Sequence, residues 1–236
     1  MYKLILLILL FSSLYARDNI SKKFELLEAM KNGSTYEIQK KLTFLTPEPT
    51  RENDISSIYY EYAKVYPISL EITKLFVSQG LDVHIKKDEI PLAYILLDST
   101  STCSVLEELF DAGLKKDFKF YSPYVVEDRQ KTKRDTDVFV SSLYTKAVEF
   151  NHCIALFEQN ELTQEEKDLA LYYAVVNEDV DLVRKQLSLG ANAKKPFSLL
   201  HTKAVSLLYD AKPYPEISQL LLEAGAIKDN VSKEPF

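Results

Sequence analysis

The side chains of this chain that could carry chemistry are three histidines, two cysteines and a dense set of carboxylates. Their spacing argues against a reactive centre. His84, His152 and His201 are scattered, and none belongs to an HExxH helix that would set two imidazoles and a general base on one zinc ion. Cys103 and Cys153 lie far apart in the chain, so no cysteine pair has zinc-ligand spacing. His152 beside Cys153 suggests a thiolate–imidazole nucleophile. Adjacent residues on a helix, however, point about 100° apart and do not face each other. The run TQEEKD, from Thr163 to Asp168, is rich in carboxylates but stands where a helix should begin, and acidic groups there complement the helix dipole. GxSxG, GxGxxG and GxxxxGK[ST] do not occur. These residues predict no catalytic centre, no metal site and no cofactor.

The 15 tyrosines are harder to set aside. Tyr59, Tyr60, Tyr62, Tyr121, Tyr124, Tyr172 and Tyr173 cluster, and tyrosine is favoured where proteins meet. Neighbours on a helix cannot all point outward, so half of each pair is expected in the core.

Composition narrows the classes further. At 236 residues, 46% hydrophobic and 27% charged, the chain is an ordinary globular one of one domain or two small ones. A formal charge of -6 argues against general nucleic-acid binding, which releases counterions through a basic surface.

The first sixteen residues, MYKLILLILLFSSLYA, are a different material. Lys3 precedes an apolar run from Leu4 to Leu14, and Ala16 offers a small residue for cleavage. A bilayer crossing takes about 20 apolar residues, so the run reads as a cleavable signal peptide, residues 1–16, and the alternative is a short anchor. The expected location is periplasmic or secreted, with no stable membrane anchor after cleavage. In an oxidising compartment Cys103 and Cys153 either pair or remain two buried thiols, which geometry decides.

The elements that position these residues repeat. LEITKLFVSQGLDV, SVLEELFDAGLKKD, LVRKQLSLGANAKK and ISQLLLEAGAIKD are each an amphipathic run stopped by a glycine: Gly80, Gly113, Gly190 and Gly225. The first two glycines are 33 residues apart and the last two 35. One helix pair cannot hide its apolar stripe alone, so units stack, and each must stop its second helix and turn the chain outward. These glycines are turning points and not phosphate cradles.

A period near 33 with a helix-turn-helix in each unit resembles the ankyrin repeat. IPLAYIL (Ile90 to Leu96) and SLLHTKA (Ser198 to Ala204) are similar to the Thr-Pro-Leu-His-x-Ala opening of that family. Pro91 suits the first helical turn. His201 stands at the family's histidine, which implies a local structural hydrogen bond. In LALYYAVVNEDVDLVRKQL, Ala174 is the small contact residue and Asn177-Glu178-Asp179 the turn, with Val180, Leu182, Val183 and Leu187 facing inward. Looser units are FELLEAMKNGSTYEIQKKLTFL, with Ala29, the Asn32-Gly33 turn, Ile38 and Leu42; Tyr59 to Gly80; and YTKAVEFNHCIALFEQN, where Asn160 replaces the glycine.

The expected fold is all-α, an ankyrin-type α-solenoid of about six helix-turn-helix repeats over residues 17–236, with a charged aromatic loop inserted at 119–137. The resemblance implies a non-catalytic protein–protein interaction module, monomeric by itself, acting as adaptor or scaffold in the periplasm. The alternative is an immunity protein that neutralises a secreted toxin. Candidate partner contacts are the tip residues Asp82, His84, Lys86, Lys194 and Lys195, and Tyr121 and Tyr124 of the loop.

Overall fold

The computed structural model describes residues 21–44, 55–88, 90–99, 102–121, 140–157, 161–197 and 205–227. The signal segment, Tyr124, Asn160 and His201 lie outside the described residues. The chain divides into two compact units, Met1–Lys115 and Lys116–Phe236.

The first unit holds three helix pairs among its described residues. They are α1 (residues 21–31) with α2 (Thr35–Phe44), α3 (Ile55–Ala63) with α4 (Leu70–Ser78), and α5 (Leu92–Asp98) with α6 (Cys103–Asp111). Second helices pack on second helices, α2 on α4 and α4 on α6, while α3 packs on α5. Between the second and third pairs, β1 (Lys86–Lys87) and β2 (Ile90–Pro91) form an antiparallel hairpin with Lys86 opposite Pro91. Pro91 is the cap before α5 and not its first helical residue, because its ψ of 153° is still extended.

The repeat boundary is local chemistry. Ser69 caps α4 by accepting the Ile72 N–H, and Ile72, Thr73 and Phe76 make the buried face at helical spacing. The helix then stops at Gly80, whose φ of +87° lies in the left-handed region. There the Gly80 N–H reaches the Val77 carbonyl and the Leu81 N–H the Phe76 carbonyl, satisfying two otherwise orphaned acceptors. The same pair of bonds recurs at Gly113, Gly190 and Gly225, all at positive φ.

The α3 tyrosines correct the expectation that half would point outward: Tyr59, Tyr60 and Tyr62 are all buried. Tyr59 meets Phe76 of α4 at 5.0 Å between centroids and bonds Thr73, whereas Tyr62 donates to the Met30 carbonyl of the preceding repeat at 3.1 Å. A middle repeat has a neighbour on each side, so more than half the helix circumference is covered.

The second unit also holds three pairs among its described residues. Strands β3 (Lys119–Tyr121) and β4 (Val140–Ser142) pair antiparallel and lead into α7 (Leu143–Glu149), followed by a 3-10 turn at Ile154–Phe157. Then come α8 (Gln164–Val176) with α9 (Val180–Ser188), and α10 (Leu207–Asp210) with α11 (Pro215–Glu223). Of the loop expected at 119–137, the first three residues are therefore strand. Among the described residues, the expected second helix after α7 is one short turn, and Cys153 precedes it at φ +57° instead of lying on a helix with His152.

Between α8 and α9 the turn falls where expected: Asn177 ends one helix, Glu178 takes φ +61°, and Asp179 caps the next. Ala174 is fully buried. The inner face of α9 is Leu182, Val183 and Gln186, while Val180 and Leu187 are half-buried. A buried glutamine is tolerated because the Tyr144 hydroxyl hydrogen-bonds its amide.

Candidate protein-binding surface

Each unit contains a hairpin tip held by the same two hydrogen bonds. In the first, the His84 N–H donates to Asp82 Oδ1 at 2.9 Å, and the Asp82 N–H donates to Ser56 Oγ of α3 at 2.9 Å. In the second, the Lys194 N–H donates to Asn192 Oδ1 at 3.0 Å, and the Asn192 N–H donates to Asp168 Oδ1 of α8 at 2.8 Å. One side chain folds the tip on itself and another staples it to the first helix of its own repeat. Val83 and Ala193, between the turn residues, are buried, so the flanking residues are turned to solvent.

Asp82, His84 and Lys86 are exposed on the first tip, and Lys194 on the second. Lys195 departs from them. It is half-buried, its ammonium lies 3.4 Å from Asp168 Oδ2, and it sits over the Phe197 ring at 5.7 Å. Its first role is to hold the tip. Tyr121 closes β3 opposite Val140.

The first tip is braced from below. Tyr60 donates its hydroxyl to the Ile90 carbonyl at 2.9 Å, and Lys87 reaches Glu61 at 2.8 Å. Burial pushes the Tyr60 phenol up to about 12, with Glu61 and Asp88 adding to the shift, so it stays a neutral donor. The Lys87 hydrogen bond holds the Glu61 carboxyl below its ordinary value.

Stacked helix pairs, glycine-stopped second helices and short antiparallel strand pairs are the features of one repeat architecture, and solved structures share it. The chain is similar to the human ASB11 ankyrin repeat domain, with a TM-score of 0.55 and 19% identity, over 86% of this chain and 84% of that one. It is also similar to EF0377, an ankyrin repeat protein, with a TM-score of 0.52 and 17% identity, over 84% of this chain and 96% of that one. This is an ankyrin-repeat fold. No protein-family model and no curated protein matches the chain.

Within the ankyrin framework the TQEEKD run gains a second role. Thr163 and Glu166 form a capping box at the start of α8, as the dipole argument expects. Burial alone would raise the Glu166 carboxyl, but hydrogen bonds from Thr163 and Ser142, with Lys119 nearby, hold it below its ordinary value. Asp168 of the same run is the acceptor that staples the ankyrin tip. Sequence reasoning missed Asp168, Asn192 and Ser56. A signal was present: Gly-x-Asx-x-basic occurs as Gly80-Leu81-Asp82-Val83-His84 and as Gly190-Ala191-Asn192-Ala193-Lys194.

Neither Cys103 nor Cys153 carries a free thiol. Among the described residues, no helix is long and apolar enough to cross a membrane.

Proposed function

We propose that the chain is a non-catalytic protein-interaction module, a monomeric adaptor or scaffold exported to the periplasm by residues 1–16. It holds a partner protein on its hairpin tips, chiefly through Asp82, His84, Lys86 and Lys194, with Tyr121 and Tyr124 of the inserted segment as further contacts. The observation that carries this reading is the repeated tip staple, Asp82 with Ser56 and Asn192 with Asp168. A tip fixed at both ends presents its charged side chains with little ordering cost on binding.

The test is capture of proteins from a periplasmic extract on immobilised wild-type chain, alongside Asp82→Ala/His84→Ala/Lys86→Ala and Lys194→Ala variants with native circular dichroism. A protein retained by wild type and lost by the tip variants supports the reading. Equal retention by all, or none by wild type, overturns it. N-terminal sequencing of the exported chain is expected to begin at Arg17.

A further inference from the structure

Two carboxylates near the start of α8 hold the strand hairpin before that helix and the tip that follows α9. Glu166 accepts the Thr163 N–H at 2.9 Å and the Thr163 hydroxyl at 2.7 Å, with a further bond from the Ser142 hydroxyl. The Lys119 ammonium lies 3.9 Å away. Lys119 and Ser142 stand opposite each other in the β3–β4 register, so Glu166 grips the base of that hairpin. Asp168 accepts the Asn192 N–H at 2.8 Å and the Gln164 amide at 2.7 Å through Oδ1, and its Oδ2 lies 3.4 Å from the Lys195 ammonium. The Glu166 and Asp168 side chains are only 10% and 4% exposed, so little water reaches either carboxylate to replace a lost partner.

We propose that Glu166 and Asp168 form an acid-operated latch, whose protonation releases the β3–β4 hairpin and the tip at 191–197 while the helices beneath them stay folded. Among the described residues, every partner of Asp168 is a nitrogen donor. Gln164 cannot turn its amide over to accept a proton, because the same Nε2 also donates to the Gly190 carbonyl at 2.9 Å. A proton on Asp168 therefore displaces a donor and cancels the attraction to Lys195. At Glu166 the Thr163 N–H and the Lys119 ammonium are likewise donors only, and a neutral carboxyl gives up its interaction with the helix dipole. The groups facing the pair from beyond α8 are Ser142, which caps α7, and Asn192, beyond α9; among the described residues the charged ones are Lys119 and Lys195. Both hairpins are short and their lysines partly exposed, whereas α8 keeps Leu171, Ala174 and Val175 buried, so local opening is easier than unfolding. The released segments carry Tyr121 and Lys194, so the latch governs part of the surface proposed above, and only that consequence rests on the interaction reading.

Hydrogen exchange on the full chain, corrected for the pH dependence of intrinsic exchange, tests this without any partner. The pH is lowered in steps from neutrality through and below the ordinary carboxyl value of 4.5. Amides of 119–121, 140–142 and 191–197 are expected to lose protection at least about tenfold while those of α9 and α11 keep theirs. Glu166→Gln is expected to remove the acid response of the strand hairpin alone, and Asp168→Asn that of the tip alone. Hairpin protection that persists until the far-ultraviolet circular dichroism collapses overturns the proposal, as does an acid response left unchanged in either variant. Where a variant does not fold, the order of loss in the wild type decides by itself. Partner capture at neutral pH reads the tips and exchange reads the latch, so failure of the interaction reading and failure of the latch give different results.

Discussion

Asp168, almost fully buried on α8, accepts the Asn192 N–H at 2.8 Å and holds the Lys195 ammonium at 3.4 Å. One carboxylate thus fixes where the tip of its repeat begins and how a lysine beyond it packs.

Replacing Asp168 by Ala leaves the part-buried Asn192 N–H without its acceptor and removes the partner of Lys195. The expected loss is about 2–4 kcal/mol, below the full cost of breaking a buried ion pair because Lys195 is partly solvated. Asp168→Asn, which keeps an acceptor, is expected to lose less. Urea unfolding followed by circular dichroism checks both, and equal losses would contradict the hydrogen-bond assignment.

The buried pair of Tyr144 and Gln186 calls for a double-mutant cycle. Tyr144→Phe strands the glutamine amide and is expected to cost about 1–3 kcal/mol. Adding Gln186→Leu removes the stranded group, so the double variant is expected to be more stable than Tyr144→Phe alone. Strict additivity of the two single changes would show that the groups do not depend on each other.

At Gly80 an added Cβ meets nothing within 4 Å, so Gly80→Ala tests backbone handedness alone. With φ at +87° the expected cost is about 1–2 kcal/mol. At Gly225 a new Cβ would also lie 3.0 Å from Lys194 Cε, a flexible contact that can move aside. Similar melting-temperature losses for the two variants are therefore expected.

Glu166 gives the stability a pH dependence of known sign. Its folded carboxyl titrates below the ordinary 4.5, so its contribution is complete above that value. It is lost as pH falls through the folded value. Between pH 7 and acid, wild type is expected to lose more thermal stability than Glu166→Gln, as scanning calorimetry at matched ionic strength would show. Parallel curves would assign the acid sensitivity to other groups.

Much of this architecture is legible residue by residue. Gly80, Gly113, Gly190 and Gly225 could be read as helix stops because left-handed backbone is a property of the glycine itself. The turn at Asn177-Glu178-Asp179 and the cap at Thr163 are likewise encoded within four residues. The candidate surface was half legible: Asp82, His84 and Lys194 are exposed on tips, but Lys195 is drawn back to Asp168. Nothing near Lys195 in the chain announces that carboxylate, which arrives from the preceding helix pair.

What the amino-acid order determined alone is the repeat, its period and its punctuation, since each depends on φ preference, capping and helical spacing inside a short window. What only the tertiary structure decided is the fate of individual side chains. Tyr59, Tyr60 and Tyr62 are all buried, Gln186 is paired in a core, and Ile154–Phe157 form a 3-10 turn. Burial and pairing are set by residues tens of positions away, so no local pattern contains them.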